Sequence, residues 1–120
     1  MVSNARESSL GSERRRTARY PFEATAEVID LGTQKSITAP VIELSLYGCF
    51  IDMADPFPVG TQILVKISSQ GQYFEGPGTV MHARRNSGIG VSFHDVPRHY
   101  VQTLKVWLIQ AAQALYSSKV

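Results

Sequence analysis

The stretch "TQILVKISS" (residues 61–69) has β-branched apolar side chains at every second position from 63 to 67, which is the two-residue period of a β-strand. Ile63, Val65 and Ile67 fall on one face of such a strand, and Lys66 falls on the other. We therefore expect one face of this segment to be buried in a core and the other to meet solvent.

The two apolar segments that follow are predicted to form a β-hairpin. They are "QYFEGPGTVMHARR" (72–85) and "GIGVSFHDV" (88–96), separated by Asn86 and Ser87. Pro77 lies inside the first segment and has no backbone N–H to donate. That part of the strand is therefore expected to be a sheet edge or a bulge.

Three more strands are predicted upstream, where short apolar and β-branched runs recur between turn signals. They are "FEATAEVID" (22–30), "KSITAPVIEL" (35–44) and "YGCFIDM" (47–53). Regularly spaced short strands of this kind are typical of a small antiparallel barrel or sandwich.

The hydrophobic period changes after Asp95, where the sequence predicts a C-terminal helix that covers the strands. Pro97 suits the first turn of a helix. One apolar stripe then runs to the end of the chain: Val101, Leu104, Leu108, Ala111 and Leu115. Further apolar residues lie beside it: Tyr100, Trp107 and Ala114. Core packing is the preferred interpretation of this wide surface, and a homodimer through the helix is the alternative.

Composition favours one compact domain. The chain has 120 residues, of which 43% are hydrophobic, enough for a real core. No apolar run reaches the length of about 18 residues that a membrane span requires, and the N-terminus lacks the apolar block of a signal peptide. We therefore expect a cytoplasmic protein. Cys49 has no second cysteine to pair with and is expected to be a small buried side chain.

Positive charge is concentrated near the N-terminus, although the formal net charge is only +2. The stretch "ERRRTARY" (13–20) follows a polar, Ser-rich segment (1–12) that is predicted to be a disordered tail. Three interpretations of these arginines stay open: a solvated charge run, a nucleic-acid arm, or an arm that encloses a compact anionic ligand. The other cations are scattered, which argues against a broad nucleic-acid face. Arginine suits a compact ligand because it binds phosphate and the guanine edge bidentately.

A second informative stretch is "IELSLYGCF" (42–50), which is predicted to contain a tight turn between two strands. Ser45 and Gly48 bracket the turn, and Glu43 projects a carboxylate from the same place. Glycine at position 48 is expected to adopt a backbone conformation closed to other residues, and the Ser45 hydroxyl to hold a neighbouring amide or a ligand.

Together, the two stretches resemble the PilZ domain family of bacterial cyclic di-GMP receptors. That family carries an RxxxR motif before its first strand, matched here by Arg15 and Arg19. It also carries a (D/N)xSxxG motif, of which Ser45 and Gly48 match two positions while Glu43 replaces the Asp or Asn. Other residues at familiar positions of the family's strands are Gly78, Val80, Gly90 and Phe93.

The resemblance implies a mainly β fold: a small antiparallel six-stranded PilZ-type barrel with a C-terminal α-helix and a flexible basic arm. Residues 13–120 would form one PilZ domain. Within it the arginine arm would span residues 13–20, the barrel residues 21–96 and the helix residues 97–117.

The resemblance also implies a ligand, cyclic di-GMP, and roles for individual residues. Arg15 and Arg19 would bind phosphate and guanine, with Arg14 as a third cation that suits an intercalated ligand dimer. Glu43 would accept the guanine N1 and N2 hydrogens. Ser45 would contact phosphate or fix the turn, and Gly48 would let the backbone bend.

Binding would order the arm across the barrel and create a surface for an unidentified downstream protein. The alternatives are a degenerate PilZ adaptor that binds no nucleotide and, less favoured, a barrel whose basic arm binds nucleic acid.

An enzymatic function is not expected, and neither a cofactor nor a metal is predicted. Cys49 lies in no motif that would place a base beside it. His82, His94 and His99 lack the spacing of metal ligands and are expected at the surface or at caps.

Overall fold

The structure is a computed structural model that describes residues 18–117. It contains six strands and one helix: β1 (Tyr20–Asp30), β2 (Ser36–Leu44), β3 (Gly48–Met53), β4 (Gln62–Ser69), β5 (Gln72–Arg84), β6 (Ser87–Phe93) and α1 (Arg98–Ser117).

The six strands close into an antiparallel barrel in the order β1-β2-β3-β6-β5-β4, with β4 returning to pair with β1. The pairs β1–β2, β2–β3, β4–β5 and β5–β6 join neighbours in the sequence, and the β3–β6 pair links the two halves. The six-stranded barrel with a C-terminal helix is thereby confirmed. Closure also leaves these strands without the two free edges of an open sheet.

Alternating side chains fill the barrel interior, as the period of the strands predicts. On β4, Ile63, Val65 and Ile67 are fully buried. Phe74 of β5 packs against Phe93 of β6, with ring centroids 4.9 Å apart. No polar or charged residue of the described chain is buried, so the core is an apolar cluster. Burial of these side chains fixes which residues of each strand face outward.

Pro77 lies at a local edge of the sheet, one of the two predicted possibilities, and not at a bulge. It pairs with Leu64 of β4 without a register shift, so there is no bulge at this position. On its other side, Pro77 precedes the first β5–β6 pair, Gly78 with Phe93, and its carbonyl accepts a hydrogen bond from the amide of His94. A bulge does occur on β5, but between Val80 and His82.

The β5–β6 turn is one residue earlier than expected. Ser87 already pairs with Met53 of β3 and belongs to β6, so the turn consists of Arg85 and Asn86. Asn86 has a φ of 62°, the left-handed conformation that Asn tolerates better than most residues.

Helix α1 begins one residue after Pro97 and packs over β1 and β5. Leu104 and Trp107 are its most buried side chains, at 1% and 2% exposure, and the Trp107 ring lies 5.2 Å from that of Phe22. Trp107 thus lies at the centre of the buried face rather than beside it. Leu115, predicted on the buried stripe, is 42% exposed.

Candidate functional site

The turn between β2 and β3 is held by Ser45. Its amide donates to the carbonyl of Gly48 over 2.9 Å, and its hydroxyl donates to the same carbonyl over 3.2 Å. The Ser45 Oγ also accepts a hydrogen bond of 3.3 Å from the amide of Tyr47. The hydroxyl therefore bridges both sides of the turn and fixes its shape.

Gly48 is required by a close approach of two strands, not by an unusual backbone angle. The glycines with positive φ in the described chain are Gly60 and Gly71, so the predicted special conformation of Gly48 is wrong. Gly48 pairs with Ser92 of β6, and a Cβ atom at position 48 would lie 2.1 Å from the carbonyl oxygen of Val91. No side chain fits at this position. Glycine therefore lets the turn lie tightly against β6.

A transverse row of residues crosses the outer face of the barrel beside this turn. Cross-strand pairing joins Glu43 of β2 to Phe50 of β3, Phe50 to Gly90 of β6, and Gly90 to His82 of β5. The strand neighbours of these residues, such as Leu44 and Ile51, point into the core. The row therefore places a carboxylate and two aromatic rings on one accessible surface.

An open cleft of about 500 Å³ lies over this row, a volume in the usual range for small-molecule sites. Four of the residues predicted as ligand-binding line it: Arg19, Glu43, Ser45 and Gly48. Arg19 is exposed and Glu43 is half-buried. The structure thus brings the second half of the RxxxR pattern together with the turn residues, although 24 positions separate Arg19 from Glu43.

Two side chains of the cleft are charged, Arg19 and Glu43. Among residues 18–117, the ion pairs are Arg85 with Asp55 and His94 with Asp95, so Arg19 and Glu43 have no ionic partner within that range. A guanidinium and a carboxylate in one cleft can bind a molecule that carries both acceptors and donors.

Cys49 also borders the cleft. It is 8% exposed, and burial raises the pKa of its thiol to about 12. Burial thus disfavours the thiolate that a nucleophile would require. The expectation of a small buried side chain is confirmed.

Several cleft residues were missed by sequence reasoning: Tyr47, Phe50, Met81, His82, Gly90 and Ser92. His82 was correctly placed at the surface, as were His94 and His99, but its position in the cleft was not foreseen. The alternation of β3 could have indicated that Phe50 points outward beside Glu43. The position of His82 depends on the bulge after Val80, for which the sequence carries no clear signal.

Arg14, Arg15 and the predicted tail (1–12) lie outside the described residues. Among the residues described, no helix has the length and apolar character needed to traverse a bilayer.

The family model described as "PilZ domain" matches residues 13–110, which is most of the chain. The chain belongs to the PilZ domain family. No curated protein matches the sequence, so the remaining comparisons are with solved structures.

The fold of this PilZ domain is shared with solved structures at low sequence identity. The PilZ domain of Escherichia coli YcgR, solved with cyclic di-GMP, is 15% identical with a TM-score of 0.69, and the match covers 88% of this chain and 97% of that one. Bacillus subtilis MotI, an inhibitor of motility, is 14% identical with a TM-score of 0.71 over 84% of this chain and 52% of that one. The crystal structure of YcgR in complex with cyclic di-GMP is 15% identical, with a TM-score of 0.72 over 88% of this chain.

This PilZ domain spans about half the length of the YcgR and MotI chains, 49% and 52% respectively. At such identities the likeness establishes the fold alone.

Proposed function

We propose that this PilZ domain is a receptor that binds cyclic di-GMP in the cleft over β2, β3 and β6. The observation that carries the proposal is the convergence of Arg19, Glu43, Ser45 and Gly48 on that one cleft. Two similar structures, the YcgR PilZ domain and YcgR, were solved with cyclic di-GMP, which supports this choice of ligand.

The chemistry of the cleft complements a guanine nucleotide. Guanine presents O6 and N7 as acceptors, which suit a guanidinium, and N1 and N2 as donors, which suit a carboxylate. Arg19 and Glu43 supply these two groups, and the guanidinium can also bind phosphate. Ser45 contributes by holding the turn in shape, because its hydroxyl already bridges Gly48 and Tyr47.

The arm supplies the remaining positive charge in this proposal. Arg14 and Arg15 precede Arg19 by five and four positions, close enough in sequence to reach the phosphates of a ligand held beside Arg19. The arm orders over the barrel when these contacts form, and the ordered arm presents a new surface to a downstream protein. The protein acts by binding, in the cytoplasm, and catalyses no reaction.

A homodimer through α1 stays a prediction. It is supported by the exposure of Val106, Ile109 and Tyr116 on the helix. Binding of one or of two cyclic di-GMP molecules is compatible with the proposal, and Arg14 favours two because an intercalated dimer carries more negative charge.

Salt dependence separates the receptor from the alternatives. Affinities for cyclic di-GMP, cyclic di-AMP and a single-stranded RNA are measured by fluorescence anisotropy at low and high salt. A receptor binds cyclic di-GMP and rejects cyclic di-AMP even at low salt, because the cleft recognises guanine edges. RNA binding that falls steeply with salt would instead indicate a nucleic-acid arm, and binding of none of the three would indicate an adaptor.

Glu43→Asp is expected to tighten cyclic di-GMP binding several-fold. The longer glutamate places its oxygens about one C–C bond further from the backbone than the family's Asp or Asn does, and binding contacts degrade when misplaced by about 0.5 Å. Calorimetric titration of both proteins measures the change. Glu43→Gln serves as the control, since it keeps the length and removes the charge, and it is expected to weaken binding. No gain from the aspartate would mean that the glutamate already reaches the base.

A further inference from the structure

Two aromatic rings on the transverse row rest against β6 where side chains are missing. The ring of His82 leans over Gly90: a Cβ atom at position 90 would lie 3.2 Å from His82 Cδ2 and 3.7 Å from Cγ. The ring of Phe50 leans over Gly88 in the same way, with its Cε2 atom 3.0 Å from the place of a Cβ at that position. The glycines thus let both rings lie close to the strand backbone instead of standing between neighbouring side chains.

Each ring lies against the backbone of β6 on one side and is accessible to solvent on the other. Gly90 pairs with Phe50 on one side and with His82 on the other, so the two aromatic residues flank β6 at the same level. The bulge between Val80 and His82 turns His82 to the outer face of the barrel. His82 is exposed and Phe50 is half-buried, and each lines both the main cleft and a shallower groove beside it.

No contact among the described residues accounts for the exposed face of the His82 ring. The His82 side chain forms no hydrogen bond or ion pair within residues 18–117, and the aromatic pairs of that range do not include its ring. Met81, the neighbour of His82 on β5, is 51% exposed and lines the same cleft. A flat, exposed ring and a polarizable thioether are groups on which a nucleobase stacks well.

We infer that His82 is a stacking residue for one nucleobase of the ligand, with the Phe50 ring bordering that base. Gly90 makes room for the His82 ring and Gly88 for the Phe50 ring. This inference rests on the proposed function and deepens it. Glu43 and Arg19 recognise the edges of a base, and His82 binds a base through its face. The preferred ligand is therefore one with a flat purine beside its phosphate, and simple phosphates or sugar phosphates gain nothing from this contact.

The test begins with calorimetric titration of the full chain with cyclic di-GMP. His82→Ala is expected to weaken binding about tenfold, within the range that loss of base–aromatic stacking produces. His82→Phe keeps a flat ring without the imidazole nitrogens and is expected to restore binding to near the wild-type value. His94→Ala is the matched control, because His94 is an exposed histidine outside both cavities, and it is expected to bind as the wild type does.

A second readout distinguishes stacking from a merely structural role. In a ¹H–¹³C spectrum, the His82 ring protons are expected to shift upfield when cyclic di-GMP is added, because a purine stacked on the ring shields them, while the His94 protons stay in place. Thermal melts without ligand are expected to be unchanged in His82→Ala, since an exposed ring contributes little to the core.

The outcomes separate this inference from the proposed function. If the wild type does not bind cyclic di-GMP, the proposed function fails and the inference fails with it. If the wild type binds while His82→Ala binds within twofold of it, the stacking contact is wrong and the receptor stands. A His82→Phe variant as weak as His82→Ala would also overturn stacking, because the imidazole nitrogens and not the ring face would then carry the contact.

Discussion

Arg19→Ala weakens the binding of cyclic di-GMP by about 100-fold, which is the largest effect that we expect from one cleft side chain. The guanidinium lines the cleft and has no ionic partner among the described residues. Hydrogen bonds to charged groups contribute about 1.5–3 kcal/mol each, and a bidentate guanine contact contributes about 1–3 kcal/mol. Loss of roughly 3 kcal/mol corresponds to a factor of about 100 in Kd.

The control for this experiment removes the same charge elsewhere. Arg98 is an exposed arginine at the start of α1 that lines neither cavity. Arg98→Ala lowers the net charge equally and is expected to leave the affinity within twofold of wild type. Arg15→Ala, in the arm, is expected to resemble Arg19→Ala. Equal affinities for Arg19→Ala and Arg98→Ala, measured by calorimetry, would mean that Arg19 of the arm does not contact the ligand.

Gly48→Ala is expected to lower the free energy of unfolding by about 3 kcal/mol, the upper part of the usual range for overpacking. The added Cβ would lie 2.1 Å from the carbonyl oxygen of Val91, and a backbone atom has little freedom to move away. Relief requires β3 and β6 to separate at the Gly48–Ser92 pair. The Ser45 turn is built on the Gly48 carbonyl, so the same variant is expected to lose ligand affinity.

Gly32→Ala is the matched control for the stability measurement. Its added Cβ would meet only the Asp30 Oδ1 atom at 3.4 Å, an ordinary contact, and its φ is not positive. Urea denaturation is expected to show a change of no more than about 0.5 kcal/mol for this variant. If Gly48→Ala unfolds at the same urea concentration as Gly32→Ala, the close approach of the two strands is not what requires glycine.

Much of the barrel follows from the sequence because its strands obey a two-residue period. Ile63, Val65 and Ile67 are buried as their spacing predicts, and the change of period after Asp95 marks the helix. The finer details depend on neighbours distant in sequence. Pro77 is tolerated because β5 has no β6 partner at that position, and the need for Gly48 depends on Val91, 43 positions away.

In the candidate site, too, some residues could be predicted from the sequence and others depend on neighbours that are distant in sequence. Motif spacing pointed to Arg19, Glu43, Ser45 and Gly48, and all four line one cleft. Phe50 and His82 were not predicted as site residues because they belong to no motif. They join the site only through the pairing of β3 and β5 with β6, and that register includes a bulge which local propensity does not encode.

Isothermal titration calorimetry of the wild-type protein with cyclic di-GMP, with cyclic di-AMP and GTP as controls, decides whether this PilZ domain is a receptor. We predict saturable heat with cyclic di-GMP alone, and a stoichiometry near two if the ligand enters as an intercalated dimer. The absence of heat with cyclic di-GMP, together with a thermal melt that the ligand does not shift, would rule out the receptor and point to an adaptor that acts without nucleotide.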